Sequence, residues 1–145
     1  MLYLLISIIV FMDQIIKYYI INNFSHGQSL AIIKNIFHLT YVKNTGAAFG
    51  ILKNANNFFI IVSIVIILFL LFYRYYYFKS NIYINISIGL IIGGAVGNLI
   101  DRILLNHVVD YLDFRIWPVF NLADSAIVVG AGFLIIYIIV TDYEL

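Results

Sequence analysis

The chain has 145 residues, 64% of them hydrophobic and only 10% charged, with a net charge of +1 and a mean hydropathy of +1.05. Soluble domains are about 45–50% apolar and about a quarter charged, and so short a chain cannot hide this much apolar surface in a water-soluble core. Composition therefore points to a bilayer. It excludes a basic nucleic-acid-binding surface, and the lack of Cys excludes disulfides, thiolate metal sites and a thiol nucleophile.

A spanning helix needs about 20 mostly apolar residues, and four segments qualify: 2–21, 58–78, 82–105 and 119–141. The first has no basic start and no small-residue cleavage site, and Asp13 and Lys17 interrupt it. It therefore reads as an uncleaved span rather than a removable signal peptide. Asp13 and Lys17 stand one helical turn apart, which suits an ion pair. Near an interface, Lys17 is expected to snorkel outwards.

Residues 22–57 form the longest polar segment. Within it, Phe37-His38-Leu39-Thr40-Tyr41-Val42-Lys43 loosely alternates apolar and polar, which predicts a short strand and a small extramembrane sheet. Asn44-Thr45-Gly46 is a turn signal, and residues 47–52 are small and apolar enough to lie in the interface. Spans two and three are joined by a tight turn at 79–81, beside Arg74 and aromatics suited to the headgroup level.

Span three carries Gly89, Gly93, Gly94 and Gly97, a GxxxG spacing that lets helices approach closely. It ends in Asn98, Asp101 and Arg102, at i, i+3 and i+4 on one face. Charges in lipid are costly and normally paired, so Asp101 and Arg102 read as an orienting pair. From residue 98 to residue 125 the chain holds four Asp, two Arg, three Asn, a His, and its only Trp and Pro. Asn121, three residues before Asp124, resembles a helix N-cap with an acidic partner at the start of span four. Trp117-Pro118 marks the interface just ahead of it.

Four antiparallel spans bring the end of the first, the start of the second, the end of the third and the start of the fourth to one surface. Asp110 and Asp124 arrive there together, although Asp113 is an alternative partner that spacing does not separate from Asp110. Two carboxylates sharing a site cannot both ionise cheaply, so one keeps a proton while the other acts as a base. That is aspartic-protease chemistry. A transporter or proton relay through Asp13, Asp101, Asp110 and Asp124 is the rival reading. It predicts internal repeats or broken helices, and the sequence shows neither. A purely structural subunit leaves the polar face unexplained. His26, His38 and His107 are scattered without an HExxH motif. No spacing favours pairing Ser29 or Ser125 with Lys17 or Lys43. The reading calls for no metal and no cofactor.

Five blocks, taken together, carry a resemblance. They are Asp13 with Lys17; Val42-Lys43-Asn44-Thr45-Gly46-Ala47-Ala48-Phe49-Gly50; Gly94-Ala95-Val96-Gly97-Asn98-Leu99-Ile100-Asp101-Arg102; His107-Val108-Val109-Asp110-Tyr111; and Phe120-Asn121-Leu122-Ala123-Asp124-Ser125-Ala126. In order and spacing the chain resembles the lipoprotein signal peptidases, or type II signal peptidases, of bacteria. The resemblance implies one all-α membrane domain of four transmembrane helices, with a small extracytoplasmic β-cradle between helices 1 and 2. It implies a monomeric aspartic endopeptidase of the bacterial cytoplasmic membrane. Such an enzyme cuts the signal peptide from a diacylglyceryl-prolipoprotein just before the lipid-modified cysteine, so its partners are that substrate and membrane lipid.

The resemblance also selects Asp110 and Asp124 as the catalytic pair over Asp113. It assigns supporting places to Asp13, Lys17, Asn44, Gly46, Asn98, Asp101, Arg102 and Asn121. Asn44 is expected to hydrogen-bond substrate backbone or a catalytic carboxylate. Both termini are implied to be cytoplasmic. Charge does not decide that orientation: Arg74 and Lys79 on one side face Lys34, Lys43 and Lys53 on the other, and the tail carries Asp142 and Glu144.

Overall fold

In the computed structural model four helices among the described residues are long and apolar enough to cross a membrane. They are α1 (Leu2–Asn23), α2 (Asn56–Tyr77), α3 (Ile82–Leu105) and α4 (Leu122–Asp142). The structure describes residues 1–46, 55–77 and 81–142. The expected interfacial stretch at 47–52 and most of the turn at 79–81 lie outside the described residues.

The other three helices pack on α3, eleven of whose 24 residues are buried. Ile84, Ile88 and Ile92 of α3 meet Leu2 of α1, with Ile67 and Leu70 of α2 and Leu134 of α4 closing around them. Outward faces keep Leu68, Phe69, Ile135 and Ile136 exposed, as contact with lipid tails permits. The glycines of α3 are what allow this packing. A Cβ at Gly94 would strike the carbonyl oxygen of Ala123 in the first turn of α4. One at Gly97 would stand 2.6 Å from Asp13 Oδ2 on α1. Both approaches lie at the polar end of the bundle, where small residues let the helix backbones close up around the site.

Three antiparallel strands, β1 (Ser29–Ile33), β2 (Phe37–Asn44) and β3 (Val108–Asp113), form a sheet in that order. The alternating run at 37–43 is β2. Asn35, at φ 61°, turns β1 into β2, a left-handed conformation that Asn tolerates better than most residues. Asn106, also at φ 61°, ends α3 in the same way and sends the chain straight into β3.

Strand β3 joins the sheet from the other half of the chain, between α3 and α4, and so widens the expected cradle. It is buried at nearly every position, so it lacks the in-out alternation that marks a half-exposed strand. Its pairing sets Val42 opposite Asp110 and Asn44 opposite Val108. Ile20 at the end of α1 packs with Tyr41, Val109 and Tyr111, which anchors the sheet to the bundle.

Candidate active site

Asp110 lies mid-strand on β3 and is 1% exposed. Asn44 Nδ2 donates to its Oδ2 at 2.9 Å, and Asn121 Nδ2 donates to its Oδ1 at 2.8 Å. The Asn44 amide is itself aimed, because its Oδ1 accepts from Gly46 N at 3.0 Å in a tight local turn. Burial, then the negative charge of Asp124, raises the Asp110 pKa to about 7 against the smaller opposing pull of the two asparagines.

Asp124 sits in the first turn of α4. Its Oδ1 accepts from Asn98 Nδ2 at 2.7 Å and its Oδ2 from Asn121 N at 3.3 Å, while Asn121 Oδ1 accepts from Asp124 N at 2.8 Å. Asn121 and Asp124 thus form the reciprocal cap that the spacing predicts. Capping and site roles are not exclusive here. The Asn121 side-chain nitrogen reaches the Asp110 carboxyl while its backbone N reaches that of Asp124, so one residue ties the two carboxylates together. Asn98 Oδ1 in turn accepts from Asn121 Nδ2 and from Lys17 Nζ, each at 3.0 Å.

Beneath this layer Lys17 is 2% exposed and does not snorkel. Its ammonium has three donors, and it finds three partners: Asp13 Oδ2 at 2.8 Å, Asp101 Oδ2 at 2.9 Å and Asn98 Oδ1. The expected orienting pair is corrected accordingly. Asp101 pairs with Lys17 on α1, whereas the Arg102 guanidinium stacks 5.1 Å over the Phe59 ring. Asp13 and Asp101 also reach the backbone beside the upper layer. Asp13 Oδ1 accepts from Ala123 N and Asp101 Oδ2 from Val109 N, both at 3.0 Å.

Asp110 and Asp124 open onto one cavity of about 690 Å³, a size typical of ligand sites. Asn44, Gly46 and Arg102 complete its polar side. Trp117, Pro118, Val119, Phe120, Ile127 and Val128 make an apolar wall that runs into the first turns of α4.

The family model described as signal peptidase (SPase) II matches residues 5–140 of this chain. The chain belongs to the signal peptidase II family. The lipoprotein signal peptidase of Halothermothrix orenii is 53% identical over 138 residues, 95% of this chain and 94% of that protein. That of Clostridioides difficile is 50% identical over 142 residues, 96% of this chain and 95% of its own length. A bacterial membrane enzyme solved by the in meso method at 2.3 Å resolution superimposes with a TM-score of 0.91 and 34% identity, covering 95% of this chain and 87% of that one.

In this member of the family, the residues singled out from sequence fall into layers. Asn44, Gly46, Arg102, Asp110 and Asp124 line the cavity. Asn98 and Asn121 stand behind them, and Asp13, Lys17 and Asp101 form the buried base. Asp113 stays apart from the cavity. Its carboxyl accepts from Thr40 Oγ1 at 2.7 Å and from Arg115 Nη1 at 3.0 Å. Burial pushes its pKa up, but those hydrogen bonds and the guanidinium charge outweigh it and hold the group below its ordinary value.

Lys17, with its three partners, is not poised to serve Ser125, whose Oγ donates to Asn121 O at 3.0 Å. Two contributors were not anticipated. Gln14 Nε2 bonds into the Asp13–Asp101 layer, and Tyr111 accepts from Leu122 N at 3.2 Å through its hydroxyl. Gln14 belongs to no block that carries the resemblance, and Tyr111 closes the block of Asp110 without a role of its own.

Proposed function

We propose that this membrane peptidase is an aspartic endopeptidase that removes the signal peptide from lipid-modified prolipoproteins, with Asp110 and Asp124 as its catalytic pair. The observation that carries the reading is that Asn121 hydrogen-bonds both carboxyls, Asp110 through its side chain and Asp124 through its backbone N, beside the one cavity they line, in a member of the signal peptidase II family. One carboxylate takes a proton from water as the water oxygen attacks the scissile carbonyl carbon. The other carboxyl gives its proton to the carbonyl oxygen, forming a tetrahedral diol. As the diol collapses, the carboxyl that took the water proton gives it to the leaving amine, the C–N bond breaks, and one diol hydroxyl returns its proton to the other carboxylate as C=O re-forms, so the pair ends with the one proton it began with. Asp110 is suited to holding that proton near neutral pH, because burial and Asp124 both favour its neutral form.

The apolar wall from Trp117 to Val128 is the surface for the substrate's lipid and apolar signal segment. Arg102, Asn44 and Gly46 face the peptide at the polar rim. On this reading the sheet and residues 22–57 lie on the extracytoplasmic side, both termini are cytoplasmic, and the enzyme acts as a monomer on substrate arriving through the lipid. Nothing in the fold favours a proton relay. Asp13, Asp101, Asp110 and Asp124 gather at one end of the bundle, and no carboxylate chain crosses to the other end among the described residues.

The test is cleavage by the purified protein in lipid bilayers of a prolipoprotein with and without its diacylglyceryl group. Mass spectrometry should find one new N-terminus, at the modified cysteine, and only from the lipidated substrate. Equal cleavage of the unmodified chain, or cleavage elsewhere, contradicts the assignment.

A further inference from the structure

The residue immediately before each aspartate of the pair is held by a buried carboxylate. Val109 N donates to Asp101 Oδ2 and Ala123 N donates to Asp13 Oδ1, both at 3.0 Å. These two carboxylates repel each other, and among the described residues Lys17 is the one cation between them. Gln14, on α1, supplies the remaining bridge. Its Nε2 lies 3.0 Å from Asp101 Oδ1, 3.3 Å from Asp13 Oδ2 and 3.1 Å from Gly97 O. All three partners only accept, so the amide must present nitrogen to them, not oxygen. With Gln14 in place every oxygen of Asp13 and Asp101 has a donor.

We propose that Gln14 is a positioning residue for cleavage: by bridging Asp13 and Asp101 it fixes the backbone from which Asp110 and Asp124 project. The inference rests on the assignment of that pair as catalytic. Gln14 does not line the cavity, so it does not contact the substrate there. Displacement of reacting groups by about 1 Å is enough to cost on the order of a hundredfold in rate. An effect confined to turnover is therefore the signature of this role. The charged groups around position 14 are Asp13 and Lys17 on its own helix and Asp101 on α3. Asp110 on β3 and Asp124 on α4 lie beyond, reached through Val109 and Ala123.

The experiment compares wild type, Gln14→Met and Gln14→Glu in the bilayer cleavage assay, with Asp110→Asn alongside. Gln14→Met keeps the length of the side chain but donates nothing. Its kcat should fall on the order of tenfold to a hundredfold, with KM for the lipidated substrate unchanged. A glutamic acid donates only when protonated and adds a third negative charge when ionised. The like charges of Asp13 and Asp101 against position 14 favour the protonated acid, so the kcat of Gln14→Glu relative to wild type should rise as pH is lowered from about 8 to about 5, while the Gln14→Met ratio stays flat.

Wild-type turnover in Gln14→Met, a loss that appears in KM, or a pH-independent ratio for Gln14→Glu overturns the proposal. If Gln14→Met does not fold, the Gln14→Glu ratio alone decides. An inactive wild type, or an active Asp110→Asn, sinks the peptidase assignment instead, so the two failures are distinguishable.

Discussion

Asn121 donates through Nδ2 to Asp110 Oδ1 at 2.8 Å, although the two residues arrive on different elements. The same side chain caps α4 through its oxygen, so it couples the start of that helix to the middle of β3. Loss of a hydrogen bond to a charged or proton-sharing group costs about 1.5–3 kcal/mol. Asn121→Ala should lower kcat by about ten- to a hundredfold and also destabilise α4 by about 0.5–2 kcal/mol through the lost cap. Asn121→Ser retains a capping oxygen but is too short to reach Asp110. It should recover stability without recovering kcat, as thermal unfolding and cleavage rates measured together will show. Equal recovery of both would mean that Asn121 is only a cap.

Asp110 gives the enzyme a pH dependence of known sign. Its pKa is raised to about 7 from an unfolded value of 3.8, so the folded protein keeps a proton that the unfolded chain releases. Stability linked to this group is greatest below about pH 4 and is lost as pH rises through about 7, by an amount on the order of a few kcal/mol. Cleavage that needs the Asp110 proton should decline over the same alkaline limb. In Asp110→Asn the titrating group is gone. Its melting temperature relative to wild type should therefore be higher at pH 8 than at pH 5, and a difference that does not change with pH would contradict this.

Lys17 is the counter-charge for two carboxylates in the interior. Removing one partner of a buried ionic cluster costs about 3–5 kcal/mol, because the other charges stay buried without it. Lys17→Met should therefore unfold at a markedly lower temperature than wild type. A surface lysine would change stability by less than about 1 kcal/mol when replaced. Thermal unfolding in lipid or detergent separates the two cases.

Much of this architecture is legible in the sequence because lipid makes simple demands. Four apolar runs must be helices, and their alternation sends Asp110 and Asp124 to one surface. The alternating run beginning at Phe37 announces β2 because Leu39 and Tyr41 pack in the core while His38 and Thr40 between them meet the hydroxyl of Ser29. β3 gives no such sign, since Val108, Val109, Asp110 and Tyr111 are all buried and apolar and polar residues do not alternate. Lys17 misleads for a related reason. Spacing along one helix reveals Asp13 but not Asp101 on α3, and without that second carboxylate an outward-pointing lysine is the sensible expectation. Gln14 is hidden in the same way, because its closest partners, Asp101 and Gly97, are 87 and 83 residues away in the chain. Asp113 and Asp110 look alike in sequence, and only the structure gives one to Thr40 and Arg115 and the other to the cavity.

The central claim is that Asp110 and Asp124 do the chemistry. It is tested most directly by cleavage of a diacylglyceryl-prolipoprotein by wild type, Asp110→Asn and Asp124→Asn, with Asp113→Asn as the control. The isosteric changes retain packing while removing one titrating carboxyl each. The account predicts that Asp110→Asn and Asp124→Asn remain folded and lose kcat by at least about a hundredfold, while Asp113→Asn still cleaves. Full activity in either of the first two, or a dead Asp113→Asn that remains folded, would contradict it.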